Sequence, residues 1–296
     1  MNTDNQSLLD GYFKYMKKRH QSPRTDIEYS RDLNQFAGWL SSKKKTLVEA
    51  TKKDVSEYIM TVGVGARMTN RKLAVLKTFY GFLVEMGTLK DTPVVVKMVK
   101  VVKNPPTILS EAEVKTLFRT NVFKIEFDNI MSHLALKILY YTGLRVSELA
   151  NLKDTDITID PNTETGTGGE IRVVGKGSKI RTVSFPFILS PEIHEYNHIR
   201  QTNSLARFPS WLVLYDGQPF TVPKIEYMFK KLRKYTGIKV RPHLFRHTFA
   251  SVCLDRGVSL VGVKDLLGHA NLATTSIYIH PTDSIKKEYG DAFRNG

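Results

Sequence analysis

Two arginines in the C-terminal two-thirds of the chain have a setting that suits chemistry on a phosphate. Arg145 lies in the segment TGLRVSELANL and Arg246 lies in HLFRHTFAS. A guanidinium can offer two parallel N–H donors to a phosphate, whereas a lysine acts there as a point charge. Phosphoryl transfer needs such donors on the non-bridging oxygens, together with proton transfer at the attacking and leaving oxygens. Arg145 and Arg246 are therefore candidate phosphate ligands.

Two further residues are spaced to support these arginines. Glu148 follows Arg145 by three residues, which places both on one face of a helix, so its carboxylate could hold Arg145 or a neighbouring histidine. The alternative is a surface glutamate. His243 precedes Arg246 by the same spacing and could move protons near neutral pH. A histidine at such a position is more often buried or capping, so the pair is a weak signal by itself.

Two familiar cofactor motifs fail in this sequence. His247 follows His243 at the four-residue spacing of zinc ligands, but the glutamate of a HEXXH metalloprotease is missing. Lys176 lies in GKGSK, yet position 170 is Glu and position 177 is Gly, so the phosphate loop GxxxxGK[ST] is not formed. We therefore expect no metal and no cofactor.

The segment LLGHANLATTSIYIH holds the last two candidates. Gly268 suits the left-handed end of a helix, and the adjacent His269 could donate a hydrogen bond to a phosphate oxygen. Tyr278 follows a Thr-Thr-Ser run that could present its hydroxyl. A phenol with a pKa of about 10 is a poor nucleophile at neutral pH, so it would need nearby guanidiniums and a base. A tyrosine taken alone is more often structural.

Taken together, TGLRVSELANL, VVGKGSKIRTV, HLFRHTFAS and LLGHANLATTSIYIH resemble the catalytic half of the tyrosine recombinase (integrase) family. The stretches YSRDLNQF and TNRKLAVLKTFYGFL are similar to its helical core-binding domain. The length and two-part layout resemble an Xer-like or transposon-encoded site-specific recombinase. The resemblance implies the catalytic set Arg145, Lys176, His243, Arg246, His269 and the nucleophile Tyr278.

The resemblance also implies a mechanism. Lys176 would lie at a β-hairpin tip and protonate the 5′-oxygen leaving group, and a 3′-phosphotyrosine would retain the energy of the phosphodiester. Rejoining would then need neither ATP nor a metal ion, since arginines supply the positive charge.

The expected partner is double-stranded DNA with paired half-sites. The family resemblance implies four protomers on synapsed DNA, either identical copies or copies with a related second recombinase. Ile285, Tyr289 and Phe293 recur at four-residue steps, which predicts a C-terminal helix exchanged between protomers, the alternative being packing on its own domain. Basic residues predicted to contact DNA, unless they form a merely solvated face, are Arg71, Lys72, Lys77, Lys179 and Arg181.

Charge and cysteine content agree with this partner. The formal net charge of +15 favours a polyanion, because lysines and arginines neutralise phosphates and release counterions. The single cysteine, Cys253, excludes an intrachain disulfide and a cysteine zinc cluster. No segment approaches the roughly 20 apolar residues of a membrane span, so we expect no membrane association and a cytoplasmic location.

The expected fold is mainly α. Residues 1–98 predict a helical core-binding (SAM-like) domain, residues 99–108 a basic linker, and residues 109–296 a mostly α catalytic domain with a small antiparallel β-sheet. The two domains would form a clamp around DNA. Strands are predicted at 156–159, 171–174 and 183–185, with the loop 161–169 joining the first two.

Local signals place several helix ends. Asn5-Gln6-Ser7 predicts the cap of the first helix, and Thr51 with Asp54 and Ser110 with Glu113 form capping boxes. A helix over 69–86 would turn Arg71, Lys72 and Lys77 away from its apolar face.

The chain departs from the family pattern at three points. Residues 160–169 are longer than the usual hairpin connection, Thr92-Pro93 replaces an Asn-Pro pair, and the chain starts directly with the core-binding domain. Rival functions are a related strand-passing enzyme, such as a type IB topoisomerase or telomere resolvase, and a catalytically idle DNA-binding protein. The full set of catalytic residue types argues against the idle protein.

Overall fold

The computed structural model describes residues 3–18, 23–62, 65–101, 107–160, 167–175, 180–268 and Thr275. The chain divides into two compact units, Met1–Lys103 and Asn104–Gly296. Each unit has a hydrophobic core of its own. Within the described residues, no helix is both long enough and apolar enough to cross a membrane. The predicted linker over 99–108 stays a prediction.

The N-terminal unit consists of helices α1 (Thr3–Lys18), α2 (Pro23–Ser42), α3 (Lys52–Val62) and α4 (Ala66–Glu85). Its core is rich in aromatic rings, and Phe36, Phe79 and Tyr80 are fully buried. The Thr51 hydroxyl and the Asp54 carboxylate cap the start of α3 reciprocally, as predicted. These four helices therefore form around the apolar stripes that the sequence shows.

One predicted helix cap is wrong. Helix α1 begins at Thr3, so Asn5 lies inside it and not at its end. The Asn5 side chain is fully buried, and its Oδ1 accepts a hydrogen bond from the Leu47 N–H at 2.9 Å. The residue thus satisfies a donor 42 positions away along the chain, which a local capping pattern cannot reveal.

The C-terminal unit is mostly helical with one small sheet. Its helices are α5 (Glu111–Arg119), α6 (Glu126–Thr142), α7 (Val146–Ala150), α8 (Ser190–Thr202), α9 (Val222–Thr236), α10 (Pro242–Asp255) and α11 (Leu260–Leu267). Helix α6 packs against α5, α7, α8 and α10 and against the sheet, so it forms the centre of the unit. Ser110 and Glu113 form the predicted capping box at the start of α5. The packing of α6 against its neighbours fixes the position of the residues that follow it.

The sheet is antiparallel, with the order β1 (Ile157–Ile159), β2 (Thr167–Val174) and β3 (Ile180–Pro186). Ile171 pairs with Val183, and Val174 pairs with Ile180, so β2 and β3 are adjacent partners in one hairpin. All three predicted strands are confirmed, although β2 and β3 are longer than predicted. Strands β2 and β3 therefore place the residues that flank Lys176 in the sequence at one end of the hairpin.

The predicted loop over 161–169 is too long at its C-terminal end. Thr167, Gly168 and Gly169 belong to β2, and Gly169 pairs with Ile159. A Cβ on Gly169 would lie 2.1 Å from the Thr158 carbonyl oxygen, so the close approach of the strands requires glycine there. Glycines that predict a loop by composition here permit tight strand pairing.

Candidate active site

The corner between α6 and α7 positions the first candidate arginine. Gly143 ends α6 in the left-handed conformation, with φ of 62°, and its N–H donates to the Leu139 carbonyl. The chain then turns through Leu144, which is buried, and Arg145 precedes the first residue of α7. Glu148 closes the first turn of α7 by accepting a hydrogen bond from the Arg145 N–H at 2.8 Å. The corner therefore fixes the backbone of Arg145 from both sides.

The Glu148 carboxylate joins two guanidiniums. Its Oε1 accepts from Arg145 Nη1 and from Arg181 Nη1, each at 2.8 Å, and its Oε2 accepts from Arg181 Nη2 at 2.9 Å. The prediction that Glu148 holds Arg145 is confirmed. Arg181, in strand β3, is a second partner that the spacing of residues along α7 cannot show.

Burial and hydrogen bonding act in opposite directions on the pKa of Glu148. Removal from water would raise the pKa, but the hydrogen bonds from Arg181 and Arg145 and the charge of Arg181 outweigh it and lower the pKa to about 2. The carboxylate is therefore ionised throughout the neutral range. It stays an acceptor for both arginines and does not serve as a proton donor.

Arg246, in helix α10, reaches the same corner from another element. Its Nη1 donates to the Gly143 carbonyl and its Nη2 to the Leu267 carbonyl, both at 2.6 Å. The side chain is almost completely buried. Arg246 thus links α10 to the residue two positions before Arg145 and to the last residue of α11. Residues about a hundred positions apart in sequence meet around Gly143.

The histidines of α10 lie beside Arg246. His243 is exposed and belongs to the first turn of the helix. His247 is half-buried, and burial, together with the neighbouring His243, Arg241 and Arg246, lowers its pKa, so its imidazole is neutral at pH 7. Among the residues that the structure describes, no group of three or more His, Cys, Asp or Glu side chains is arranged to hold a metal ion.

Four predicted residues, Lys176, Lys179, His269 and Tyr278, lie outside the described residues. For His269, the described neighbours are informative. Gly268, which precedes His269, has φ of 63°, as predicted for a left-handed helix end. It follows Leu267, whose carbonyl Arg246 binds. The described chain before His269 is thus anchored at the corner that carries Arg145.

The basic residues predicted on α4 differ in their surroundings. Lys77 is exposed, and Arg71 is half-buried with its Nη2 on the Asp32 carboxylate at 3.0 Å. The prediction that Lys72 lies on the outer face of α4 is wrong, because its side chain is buried. Its ammonium donates to Gln35 at 2.6 Å and to Asp32 at 3.4 Å, and this polar pair satisfies the charge inside the unit.

The arrangement suits the binding of a phosphate at the α6–α7 corner. Arg145 and Arg181 share one carboxylate, and backbone carbonyls accept two hydrogen bonds of Arg246, so the described site keeps a surplus of positive charge. Guanidiniums that are held by hydrogen bonds before the ligand binds need little reorganisation when charge develops on it. The sequence did not indicate the Gly143 carbonyl as an acceptor; only TGLR, a glycine directly after an apolar helix, signals the corner.

Comparisons with known proteins cover both units. Residues 107–284 match the model of the Phage integrase family, and residues 9–87 match its Phage integrase, N-terminal SAM-like domain. Tyrosine recombinase XerD of Rickettsia prowazekii is 32% identical over 289 residues, which are 92% of each chain. Tyrosine recombinase XerC of Lacticaseibacillus casei is 32% identical over 285 residues, covering 92% of this chain and 93% of the relative.

A solved structure shares the fold. The XerH site-specific recombinase bound to palindromic difH substrate, in a post-cleavage complex, superposes with a TM-score of 0.72 at 17% identity. The match covers 98% of this chain and 95% of that one. At this identity the likeness concerns the fold alone.

Proposed function

The chain belongs to the phage integrase family and is a site-specific tyrosine recombinase, and we propose that it acts through a covalent 3′-phosphotyrosine formed by Tyr278. One observation on this chain supports the proposal. Arg145 and Arg246, which sequence analysis selects as phosphate ligands, converge on the Gly143 corner through Glu148 and two backbone carbonyls. Convergence of this kind is what in-line displacement at one phosphorus requires.

The proposed reaction exchanges one ester for another. The Tyr278 oxygen forms a bond to the scissile phosphorus while the bond from phosphorus to the 5′-oxygen breaks. The phenol proton passes to a base, for which His243 is the candidate, and Lys176 protonates the departing 5′-oxygen. Arg145, Arg246 and His269 stabilise the charge on the non-bridging oxygens. Attack of a second strand's 5′-hydroxyl on the phosphotyrosine reverses these steps and releases Tyr278.

Because each step replaces one phosphate ester bond by another, the exchange consumes no ATP. The arginines supply positive charge where other phosphoryl-transfer enzymes place a metal ion. We therefore propose a metal- and ATP-independent reaction on double-stranded DNA with paired half-sites, which the two units clamp. A DNA substrate and a single cysteine agree with a cytoplasmic location.

Contacts to the DNA backbone would come from both units. Lys77 is exposed on α4 and has the strongest support, whereas Arg71 and the buried Lys72 already bind Asp32. Lys179, between β2 and β3 in the sequence, is a further candidate. The Arg181 guanidinium is already bound to Glu148, so a phosphate contact there would have to share or exchange that partner.

We further propose a tetramer on synapsed DNA, of four copies or with a related second recombinase, in which the C-terminal segment enters a neighbouring protomer. A cavity of about 670 Å³ in the C-terminal unit has lining residues that include Phe118, Tyr140, Tyr141, Phe249 and Cys253. The aromatic part of its lining matches the apolar stripe of Ile285, Tyr289 and Phe293, although charged residues such as Glu111 and Arg256 also line it. The cavity thus offers a receptor for a segment of this chain.

Replacement of the nucleophile tests the proposed chemistry. We expect Tyr278→Phe to bind target DNA but to form no covalent complex, because only the attacking oxygen is lost. The target is first recovered as genomic DNA covalently trapped by the wild type. A duplex of that sequence, nicked near the cleavage point so that the released strand diffuses away, then accumulates the adduct on a denaturing gel.

Tyr235→Phe, at an exposed tyrosine of α9, is the matched control and should form adduct like the wild type. A covalent band in the Tyr278→Phe variant would refute the nucleophile assignment. Relaxation of any supercoiled plasmid by the wild type, without site preference, would favour a type IB topoisomerase-like enzyme or a telomere resolvase. Absence of any wild-type adduct would leave an idle DNA-binding protein.

A further inference from the structure

Arg181 is held in the site by a bidentate and largely buried contact with Glu148, which a residue that only binds phosphate would not need. Its two Nη atoms bind both oxygens of Glu148, at 2.8 and 2.9 Å, in a bidentate pair. Only 17% of the Arg181 side chain is exposed, and only 4% of the Glu148 side chain. Since a bidentate pair fixes the plane of both groups, Arg181 determines where the Glu148 carboxylate lies.

The position of that carboxylate determines the position of Arg145. Glu148 Oε1 accepts from Arg145 Nη1, and Oε2 accepts from the Arg145 N–H. Without Arg181, the carboxylate would keep one guanidinium and one N–H as donors and could rotate toward either. The side chain of Arg145 is one-third exposed, and its guanidinium is held by Glu148. Arg181 therefore restricts Arg145 through an intermediate group.

Arg181 also lies against the chain that leads to His269. A Cβ on Gly268 would lie 2.9 Å from the Cδ and the Nε of Arg181, and Gly268 has the left-handed φ of 63°. One residue earlier, the Leu267 carbonyl accepts from Arg246. The end of α11 is thus held between two arginines from different elements. Strand β3, helix α7 and the end of α11 meet at Arg181.

We propose that Arg181 is a positioning residue of the recombination reaction, which sets the orientation of Arg145 through Glu148. The inference rests on the proposed function and adds a residue to it. Arg181 lies two residues after Lys179, on strand β3, which follows Lys176 in the sequence. Movement of strand β3 would therefore reach Arg145 through Arg181 and Glu148.

The experiment compares Arg181→Gln with a matched surface pair. Arg172, also in the hairpin, is half-exposed, and its partner is Asp156 rather than Glu148, bound through Nε and Nη2 at 3.2 and 2.9 Å. We expect Arg181→Gln to lower the single-turnover rate of adduct formation about 100-fold, as misplacement of a catalytic group does. DNA affinity should stay within about threefold, and Arg172→Gln should change either value less than about twofold.

A double-mutant cycle separates positioning from direct phosphate binding. If Arg181 acts through Glu148, the Arg181→Gln/Glu148→Gln variant should cleave about as slowly as Glu148→Gln alone. If Arg181 binds the phosphate itself, the two losses multiply, or the loss appears in DNA affinity, and the inference is overturned. Arg181→Lys keeps the charge but not the bidentate geometry, so we expect it to remain at least about tenfold slower than the wild type.

Folding of each variant is checked by its thermal unfolding midpoint and far-ultraviolet circular dichroism. If Arg181→Gln does not fold, Arg181→Lys carries the test with the same criteria. Adduct formation by either folded variant within about twofold of the wild-type rate contradicts the inference and leaves the proposed function intact. A wild type that forms no adduct contradicts the proposed function instead.

Discussion

At the scale of single residues, the site depends on one ionised carboxylate between two guanidiniums. Glu148 is buried and would be costly as a lone charge, but three side-chain hydrogen bonds from Arg145 and Arg181 compensate for its removal from water. These ion pairs no longer stabilise the fold when Glu148 is neutralised, because the arginine charges then lack their partner. The stability of the C-terminal unit should therefore depend on the protonation of Glu148.

The expected pH dependence follows from the direction of the pKa shift. The folded-state pKa of Glu148 is lowered to about 2 from an ordinary value of 4.5, so its stabilisation is complete above pH 4.5 and is lost as the pH falls toward 2. We expect Glu148→Gln to destabilise the protein by about 3 kcal/mol at pH 7. The difference from the wild type should shrink by roughly 1 kcal/mol by about pH 3.5.

Urea unfolding of both proteins across this pH range measures that difference. Glu111→Gln is the control, because Glu111 forms an exposed pair with Lys115 on α5 and should contribute little at any pH. A difference between wild type and Glu148→Gln that stays constant down to pH 3.5 would show that the carboxylate is not held ionised by its two arginines.

At the scale of secondary-structure elements, the α6–α7 corner links the protein core to the site. Gly143 lies where α6, α10 and α11 meet, and a Cβ there would lie 2.5 Å from Phe249 Cδ1 and 2.9 Å from Leu267 Cδ2. Its carbonyl binds Arg246. The same glycine therefore provides the left-handed turn, the close packing and an acceptor for a catalytic residue.

Gly143→Ala should destabilise the protein by more than the backbone cost of alanine at a left-handed position. Alanine at φ of 62° costs about 1 kcal/mol, and overpacking against Phe249 and Leu267 adds about 1–3 kcal/mol. Gly237, which ends α9 with φ of 73°, has no atom within 4 Å of such a Cβ, so Gly237→Ala should show the backbone cost alone. Denaturant unfolding compares the two, and equal losses would contradict the packing argument.

The same substitution should also affect catalysis. A shift of the Gly143 carbonyl moves the acceptor of Arg246, so we expect Gly143→Ala to slow adduct formation about tenfold or more in protein that is still folded. Gly237→Ala, whose added Cβ would have no neighbouring atom within 4 Å, should cleave at the wild-type rate.

Sequence patterns predicted what local chemistry determines and missed what distant contacts determine. The capping box of Ser110 and Glu113 and the left-handed Gly268 are confirmed, because each depends on residues within one helical turn. Asn5 and Lys72 were misplaced because their partners, Leu47 and Asp32, are about 40 positions away. The pairing of Arg181 with Glu148, 33 positions apart, is likewise set by tertiary packing and not by spacing.

At the scale of the whole molecule, the chain contains two units with separate cores and one C-terminal segment that lies outside the described residues. Recombination between two duplexes requires subunits that are coupled, so that strands are exchanged in order. An apolar segment that leaves one protomer and fills the cavity of the next would provide this coupling. The single cysteine lines that cavity, which makes the proposal testable by cross-linking.

A cysteine placed in the C-terminal stripe should form a disulfide with Cys253 of a neighbour. We expect at least one of Ile285→Cys, Tyr289→Cys and Phe293→Cys to give covalent oligomers on a non-reducing gel when bound to target DNA. Burial raises the pKa of the Cys253 thiol to about 11, so thiolate is scarce and a copper–phenanthroline oxidant at mildly alkaline pH is needed. A disulfide also requires Cα atoms within about 7 Å, so the bond reports close docking.

The size of the product distinguishes the arrangements. Cyclic exchange links up to four protomers, reciprocal exchange stops at two, and packing of the segment on its own unit consumes both thiols without any change in mass. The same variants carrying Cys253→Ser should form no product through the cavity. If no variant yields oligomers with DNA bound, or if oligomers persist without Cys253, the segment does not enter the cavity of a neighbouring protomer.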